Sequence, residues 1–373
     1  MVGSRRVGVS CVLYPGVVSL FEFHSSRERE SDGGALYARP RRKIVKRVTL
    51  LAGAAWLAFA AVGVEAATYV LNDPAQTLIG VPASEVTQQE DTLLDVARRN
   101  GLGYEEIARA NPGVDMWLPG AGRQLVLPTQ RIIPDVERTG IVVNLPEHRL
   151  YFFPKAKRGQ PPTVITYAIS IGRMDWSTPL GVTQIVAKNR NPIWYPTKSV
   201  LAEHAANGDP LPRIVPPGPD NPLGAYAMRL GIPGGAYLIH GTNKPAGVGM
   251  QNTHGCMRLY PEDIEALFPL VPLRTQVRII NEPVKLGWVG GELYMEAHRP
   301  LDRMGDPQEP DLKVLEGMLL KAAADRPVAI NWDLARKTLQ DAQGIPTVVA
   351  LEVESEMDVE QPQAPPAASP GGR

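Results

Sequence analysis

The sequence predicts a mainly β fold: a β-sandwich or barrel-like domain, preceded by a small strand–helix–helix–strand unit and followed by a small α+β appendage. Three observations lead there. Gly and Pro number 35 and 36 among 373 residues, which favours turns and extended segments over long helices. Between residues 138 and 281 short apolar runs recur between turn signals, with one convincing helix. Helical spacing is otherwise confined to residues 84–129 and to the C-terminal part.

The chain begins with an address. Arg39, Arg41, Arg42, Lys43, Lys46 and Arg47 precede an uncharged apolar run from Thr49 to Val64, followed by Val64-Glu65-Ala66. That is the charged, apolar and small-residue order of an export signal. The run comes close to the roughly 17 residues needed to span a bilayer, so an uncleaved membrane anchor is the alternative. Residues 1–38 fit badly in front of such a signal, and translation is expected to begin near Val45. Cys11 lies in that doubtful stretch, which leaves Cys256 as the single cysteine of the mature chain. Residues 1–66 hold ten of the 39 basic residues but only five of the 39 acidic ones, so the neutral total hides a mildly acidic exported protein. That balance argues against a nucleic-acid partner. Two cysteines also exclude a disulfide-dense scaffold and a four-thiolate zinc site.

In residues 84–129, Glu90-Asp91 can cap a helix that runs to Asn100, with Leu93, Leu94, Val96 and Ala97 as its apolar face and Gly101 as its stop. A second helix, Tyr104 to Ala110, ends at Asn111-Pro112, and Gln124 to Leu127 reads as a strand. Within 138–281, Ile141 to Leu145 and Arg149 to Phe153 flank a turn at residues 146–148. Val164 to Ile171, Val182 to Ala187, Ala225 to Leu230 and Ala236 to His240 continue the strand pattern, with Ser177 to Gly181 as a turn. Pro261 to Phe268 is the helix, with Glu262 and Asp263 at its positive end. Residues 284–355 hold a hairpin turning at Gly290-Gly291 and helices over 312–323 and 333–342, whereas the Pro- and Ala-rich 356–373 reads as a disordered tail.

The stretch that carries chemistry runs from His240-Gly241-Thr242-Asn243 to Thr253-His254-Gly255-Cys256-Met257-Arg258-Leu259. A thiolate is a strong nucleophile, but a thiol with a pKa of about 8.5 needs a base. The His240 imidazole can take its proton and later return it to an amine. Amides around the small residues before Cys256 can bind an oxyanion. His240 reaches the thiol only if loop 243–252 folds back, and Lys244-Pro245-Ala246-Gly247-Val248-Gly249 suits that. Two other readings stay open: zinc held by His240, His254 and Cys256, and a buried structural cysteine. His148, His204 and His298 read as packed or solvated. No cofactor and no resident metal are expected.

Two resemblances follow from these residues. Residues 84–129 resemble a LysM domain through Glu90-Asp91-Thr92-Leu93, Val96-Ala97-Arg98-Arg99, Asn111-Pro112 and Trp117-Leu118-Pro119-Gly120. Residues 138–281 resemble the YkuD-type L,D-transpeptidases through the His240 and Cys256 stretches, Ile141 to Leu145, Ser177 to Gly181 and Asn191-Pro192. With Val284-Lys285-Leu286-Gly287-Trp288 behind, the layout is similar to the periplasmic ErfK/YbiS/YcfS/YnhG group. Thr253 stands where many relatives have Ser, which keeps the hydroxyl.

The resemblance implies a periplasmic enzyme in which Cys256 attacks the diaminopimelate–D-Ala bond of a peptidoglycan tetrapeptide stem. D-Ala leaves, and the resulting thioester passes its acyl group to an amine. His240 would be general base and acid, oriented by the carbonyl of Gly241. Amides at Gly255 and Cys256 would form the oxyanion hole, with Thr253, His254 and Arg258 in support. Tyr226 and Met228 would line the cleft, or else pack in the core. The partners implied are peptidoglycan stems and glycan strands, with an outer-membrane lipoprotein as one acyl acceptor. An L,D-carboxypeptidase using the same site and a non-catalytic wall-binding protein are the alternatives.

Overall fold

The computed structural model describes residues 67–173, 178–234, 237–301 and 311–353. The export signal, Cys11, Ser177, Ala236 and the tail 356–373 lie outside the described residues.

β1 (Ala67–Val70) and β2 (Leu78–Ile79) lead into β3 (Ala83–Val86), α1 (Leu93–Arg99), α2 (Tyr104–Ala110), β4 (Gln124–Leu127) and β5 (Arg131–Ile132). The central domain holds β6 (Gly140–Asn144), β7 (Arg149–Phe153), β8 (Thr163–Ala168), β9 (Ile171–Gly172), β10 (Gly181–Arg190), α3 (Lys198–Ala206) and β11 (Tyr226–Leu230). It continues through β12 (Leu238–His240), β13 (Gln251–Thr253), β14 (Met257–Arg258), α4 (Pro261–Leu270) and β15 (Gln276–Ile280). β16 (Val284–Val289), β17 (Glu292–Ala297), α5 (Leu312–Ala323), β18 (Val328–Ile330), α6 (Trp332–Asp341) and β19 (Thr347–Glu352) complete the chain.

The strand-rich domain forms one curled sheet in the order β1-β8-β7-β6-β15-β10-β11-β12-β14. β6 pairs with β15 and β12 with β14 in parallel, and the other pairs are antiparallel. One face packs Ile141, Val143, Met228, Ile239 and Met257 against Ile264 and Leu267 of α4. The other packs Val142, Tyr151 and Val164 against Leu71, Ile79 and Ile133 from the N-terminal segment. Both faces of β6 and β7 are therefore buried, which is why these strands are almost continuously apolar. The edge strand β1 comes from outside 138–281 and pairs Ala67–Val70 with Thr163–Thr166.

The small unit folds as β3-α1-α2-β4, with β3 and β4 antiparallel. Its first helix is capped one residue later than expected. Thr92, not Glu90-Asp91, accepts the amide of Asp95, whose carboxylate returns to the Thr92 amide in a capping box. Asp91 is committed elsewhere, to the Gln88 amide and to Arg99.

β10 and β11 are joined by a long excursion, residues 191–225, in which α3 is a helix that the sequence reading passed over. Buried Asn221 closes its neck by donating to the carbonyls of Pro192 and Pro216. The C-terminal sheet β16-β17-β19-β18 packs on α5 and α6 around Leu293, Met295, Leu315 and Leu339. Its junction with the central domain is polar. Fully buried Lys285 lies 2.9 Å from both Glu147 and Glu296 and donates to the carbonyl of Ile132. Glu147, Glu296 and His298 lie close enough together to hold a metal ion, but the Lys285 ammonium already sits on both carboxylates.

Candidate active site

His240 ends β12. The parallel pairing with β14 sets Ile239 opposite Met257 and His240 opposite Arg258. Cys256 immediately precedes β14, so by strand alternation it projects to the same side as Arg258 and His240. Imidazole, guanidinium and thiol thus share one face at the edge of the sheet.

The His240 ring is 4% exposed, and its Nδ1–H donates to the carbonyl of Gly241 at 2.6 Å. That hydrogen bond selects the tautomer with a basic Nε2. Burial, aided by the charge of Arg258, holds the ring down to about 3, against a weaker pull from the carbonyls of Gly241 and Leu223. Burial likewise pushes the Cys256 thiol up, while the Leu238 backbone and Arg258 draw it back. At neutral pH the resting pair is therefore a thiol beside a neutral imidazole.

The turn Thr253-His254-Gly255-Cys256 is fixed at every residue. The Arg173 amide donates to the carbonyl of Thr253 at 2.8 Å, and the Thr253 hydroxyl donates to the carbonyl of Cys256 at 2.6 Å. His254 Nε2 meets Glu203 of α3 at 2.6 Å. The Thr178 hydroxyl donates to the carbonyl of Gly255 at 3.1 Å, and Gly255 itself has φ +93°, a conformation suited to glycine. Because the Gly255–Cys256 peptide is planar and trans, pinning its carbonyl toward Thr178 aims the Cys256 N–H the opposite way.

The loop 243–252 does fold back. The Ser170 hydroxyl donates to the carbonyl of Gly247, and the amides of Tyr104 and Glu105, which open α2, donate to the carbonyls of Val248 and Gly249. His148 Nδ1 donates to the same Gly249 oxygen at 2.7 Å. Gly103 and Gly249 touch backbone to backbone: a Cβ on Gly103 would lie 2.7 Å from the Gly249 Cα.

The structure does not bring together every residue singled out from sequence. Met228 is fully buried among core side chains and serves packing, whereas Tyr226 is half-buried, its ring tilted against Phe268 of α4 and its hydroxyl 3.4 Å from Glu265. The zinc reading of His240, His254 and Cys256 fails on geometry, since His254 turns its Nε2 to Glu203 and the three do not form a metal-holding group among the described residues. Arg258 lies beside the pair, with Nη1 3.4 Å from Asn252. Sequence reasoning missed Arg173 and Glu203, which no motif marks. Thr178 lies in the Ser177–Gly181 stretch, but its role needed the structure.

A model of the L,D-transpeptidase catalytic domain named YkuD matches residues 138–279. The chain is 40% identical over 250 residues to a probable L,D-transpeptidase YcfS of Escherichia coli, covering 65% of this chain and 77% of that protein. It is 42% identical over 253 residues to a probable L,D-transpeptidase ErfK/SrfK of Salmonella typhimurium, covering 67% and 80%. A probable L,D-transpeptidase YbiS of Escherichia coli is 42% identical over 252 residues, covering 65% and 80%. Identity at that level across most of these relatives' length joins the strand-edge His240 and Cys256 in one conclusion: the chain belongs to the YkuD family of L,D-transpeptidases.

Proposed function

We propose that this enzyme remodels peptidoglycan by acyl transfer through a thioester on Cys256. The observation that carries the reading is the β12–β14 pairing, which supports His240 and Cys256 acting on one substrate. The Cys256 Sγ attacks the carbonyl carbon of the diaminopimelate–D-Ala bond while its proton passes to His240 Nε2. The tetrahedral oxyanion takes hydrogen bonds from the amides at Gly255 and Cys256. The C–N bond then breaks, His240 returns the proton to the departing D-Ala amine, and the thioester remains. An acceptor amine attacks that thioester and gives its proton to His240, regenerating the thiol. Diaminopimelate of a second stem, or a lysine of an outer-membrane lipoprotein, would form an amide; water would make the same site an L,D-carboxypeptidase.

The enzyme works in the periplasm, exported by the signal at residues 39–66. The β3-α1-α2-β4 unit is read as a LysM-like module for glycan strands. Trp117 and Leu118, 59% and 82% exposed on the loop after α2, support that reading as apolar contacts for a sugar face. Among the described residues no helix is long and apolar enough to cross a membrane.

Incubation of the purified protein with tetrapeptide muropeptides, followed by mass analysis, tests the proposal. D-Ala loss with dimer formation is expected, and neither should occur with Cys256→Ala. Identical products from wild type and Cys256→Ala would overturn the mechanism, and D-Ala loss with monomers alone would make the enzyme a hydrolase.

A further inference from the structure

We propose that Glu203 is a positioning residue for the transfer reaction, holding the first half of the Thr253–Cys256 turn, at Thr253 and His254, from the excursion between β10 and β11. The proposal rests on the assignment of Cys256 as nucleophile and adds a residue that lies far from the His240 and Cys256 motifs.

The geometry is specific. One Glu203 carboxylate oxygen accepts from His254 Nε2 at 2.6 Å, and the two oxygens accept from Nη1 and Nη2 of Arg173, end-on, at 2.9 Å each. Arg173 is anchored at the start of the turn, because its own amide donates to the carbonyl of Thr253. His254 adjoins Gly255, whose carbonyl rests on Thr178. A single carboxylate thus restrains the turn where it begins, through Arg173, and where it approaches the nucleophile, through His254. Thr253 itself, the Arg173 backbone and Thr178 restrain the turn as well, and Glu203 reaches it from the excursion between β10 and β11. Hydrogen bonds from Arg173 and His254 keep this carboxylate ionised down to about 2.

α3 makes little sense as core. Of its nine residues only Val200 is buried. The Glu203, His254 and Arg173 side chains are 31%, 28% and 37% exposed, so their polar contacts add little to global stability. What the cluster does control is the direction of the Cys256 amide and thiol, where a displacement of about 1 Å costs orders of magnitude in rate. Loss of Glu203 is therefore expected to lower turnover without loosening the fold.

The test uses the full chain with tetrapeptide muropeptides. Glu203→Gln, nearly isosteric, is expected to lower kcat about tenfold, with KM within about twofold. Its thermal midpoint should stay within about 2 °C of wild type. Arg173→Met is expected to lower kcat similarly, and the double variant to be no slower than the worse single one, because both act through one clasp. An unchanged kcat in Glu203→Gln, a rise in KM alone, or losses that multiply in the double variant would overturn the proposal. Cys256→Ala runs beside them: if it is inactive, those failures fall on Glu203 alone, whereas if it still releases D-Ala, the nucleophile assignment falls and this proposal with it.

Discussion

The loop that leaves His240 and returns to Cys256 rests between two supports of opposite character. On the inner side, α2 presents its first amides to Val248 and Gly249, two glycines meet backbone to backbone, and Glu106 lies buried between Arg149 and Arg131. On the outer side, α3 reaches the turn through one carboxylate, which meets a guanidinium and an imidazole that water still touches. A buried charged group must be matched or the fold suffers, whereas a half-exposed one can be lost at small cost to stability. The inner support therefore holds the fold, and the outer one adjusts the reaction. The difference also recasts the small N-terminal unit: its second helix is a wall of the loop between His240 and Cys256.

The largest expected effect is on the inner side. Glu106→Ala leaves the Arg149 and Arg131 guanidiniums buried without a counter-charge and should cost about 3–5 kcal/mol, read as a fall of the urea midpoint. If Glu106→Ala melts no more readily than Glu203→Gln, the two supports do not differ. Gly249→Ala comes next. A Cβ there runs into the Tyr104 amide and the Gly103 backbone at φ +89°, so a loss of about 2–3 kcal/mol is expected, together with weakened transfer.

The smallest of the three effects separates the supports by pH. Burial holds His148 at about 4 in the folded state, below its ordinary 6.5. Between those values the unfolded chain binds a proton that the native ring does not, so this contribution is complete above pH 6.5 and falls away as pH drops toward 4. Thermal melts at pH 7 and pH 4.5 should show wild type losing about 2 kcal/mol relative to His148→Gln. Glu203, ionised down to about 2, predicts no such change for the outer support.

Much of this was legible beforehand, for identifiable reasons. β6 and β7 announced themselves as unbroken apolar runs because both faces are covered, and α4 carried its Pro start and acidic first turn. Cys256 and His240 stood out because a lone thiol in a chain read from its sequence as exported, near an imidazole and among small residues, has few structural explanations. The cap at Thr92 was displaced by one residue because two acidic neighbours offered equally good caps. α3 carries almost no apolar stripe, so nothing in its spacing distinguished it from the Pro-rich segment around it. Nothing in the sequence marks Lys285 and Glu296 for burial; they are cross-strand partners, and their burial depends on Glu147, well over a hundred positions earlier. Glu203 and Arg173 were invisible for the same reason, since only the fold brings them to His254.

The parallel pairing of β6 with β15 bears on when this protein can fold. Ile141 waits for Val277 before the centre of its sheet exists, and Thr166 must find Ala67 at the far edge. At about 5–20 residues per second of synthesis, that wait lasts on the order of ten seconds. Until it ends, β6 offers an open edge whose partner has not been made, and pairings this distant in sequence form slowly. A chain built this way gains from being kept extended until its last core strand is available. The proposed export signal is consistent with that need: delivered whole to the far side of a membrane, the chain can close both distant pairs at once.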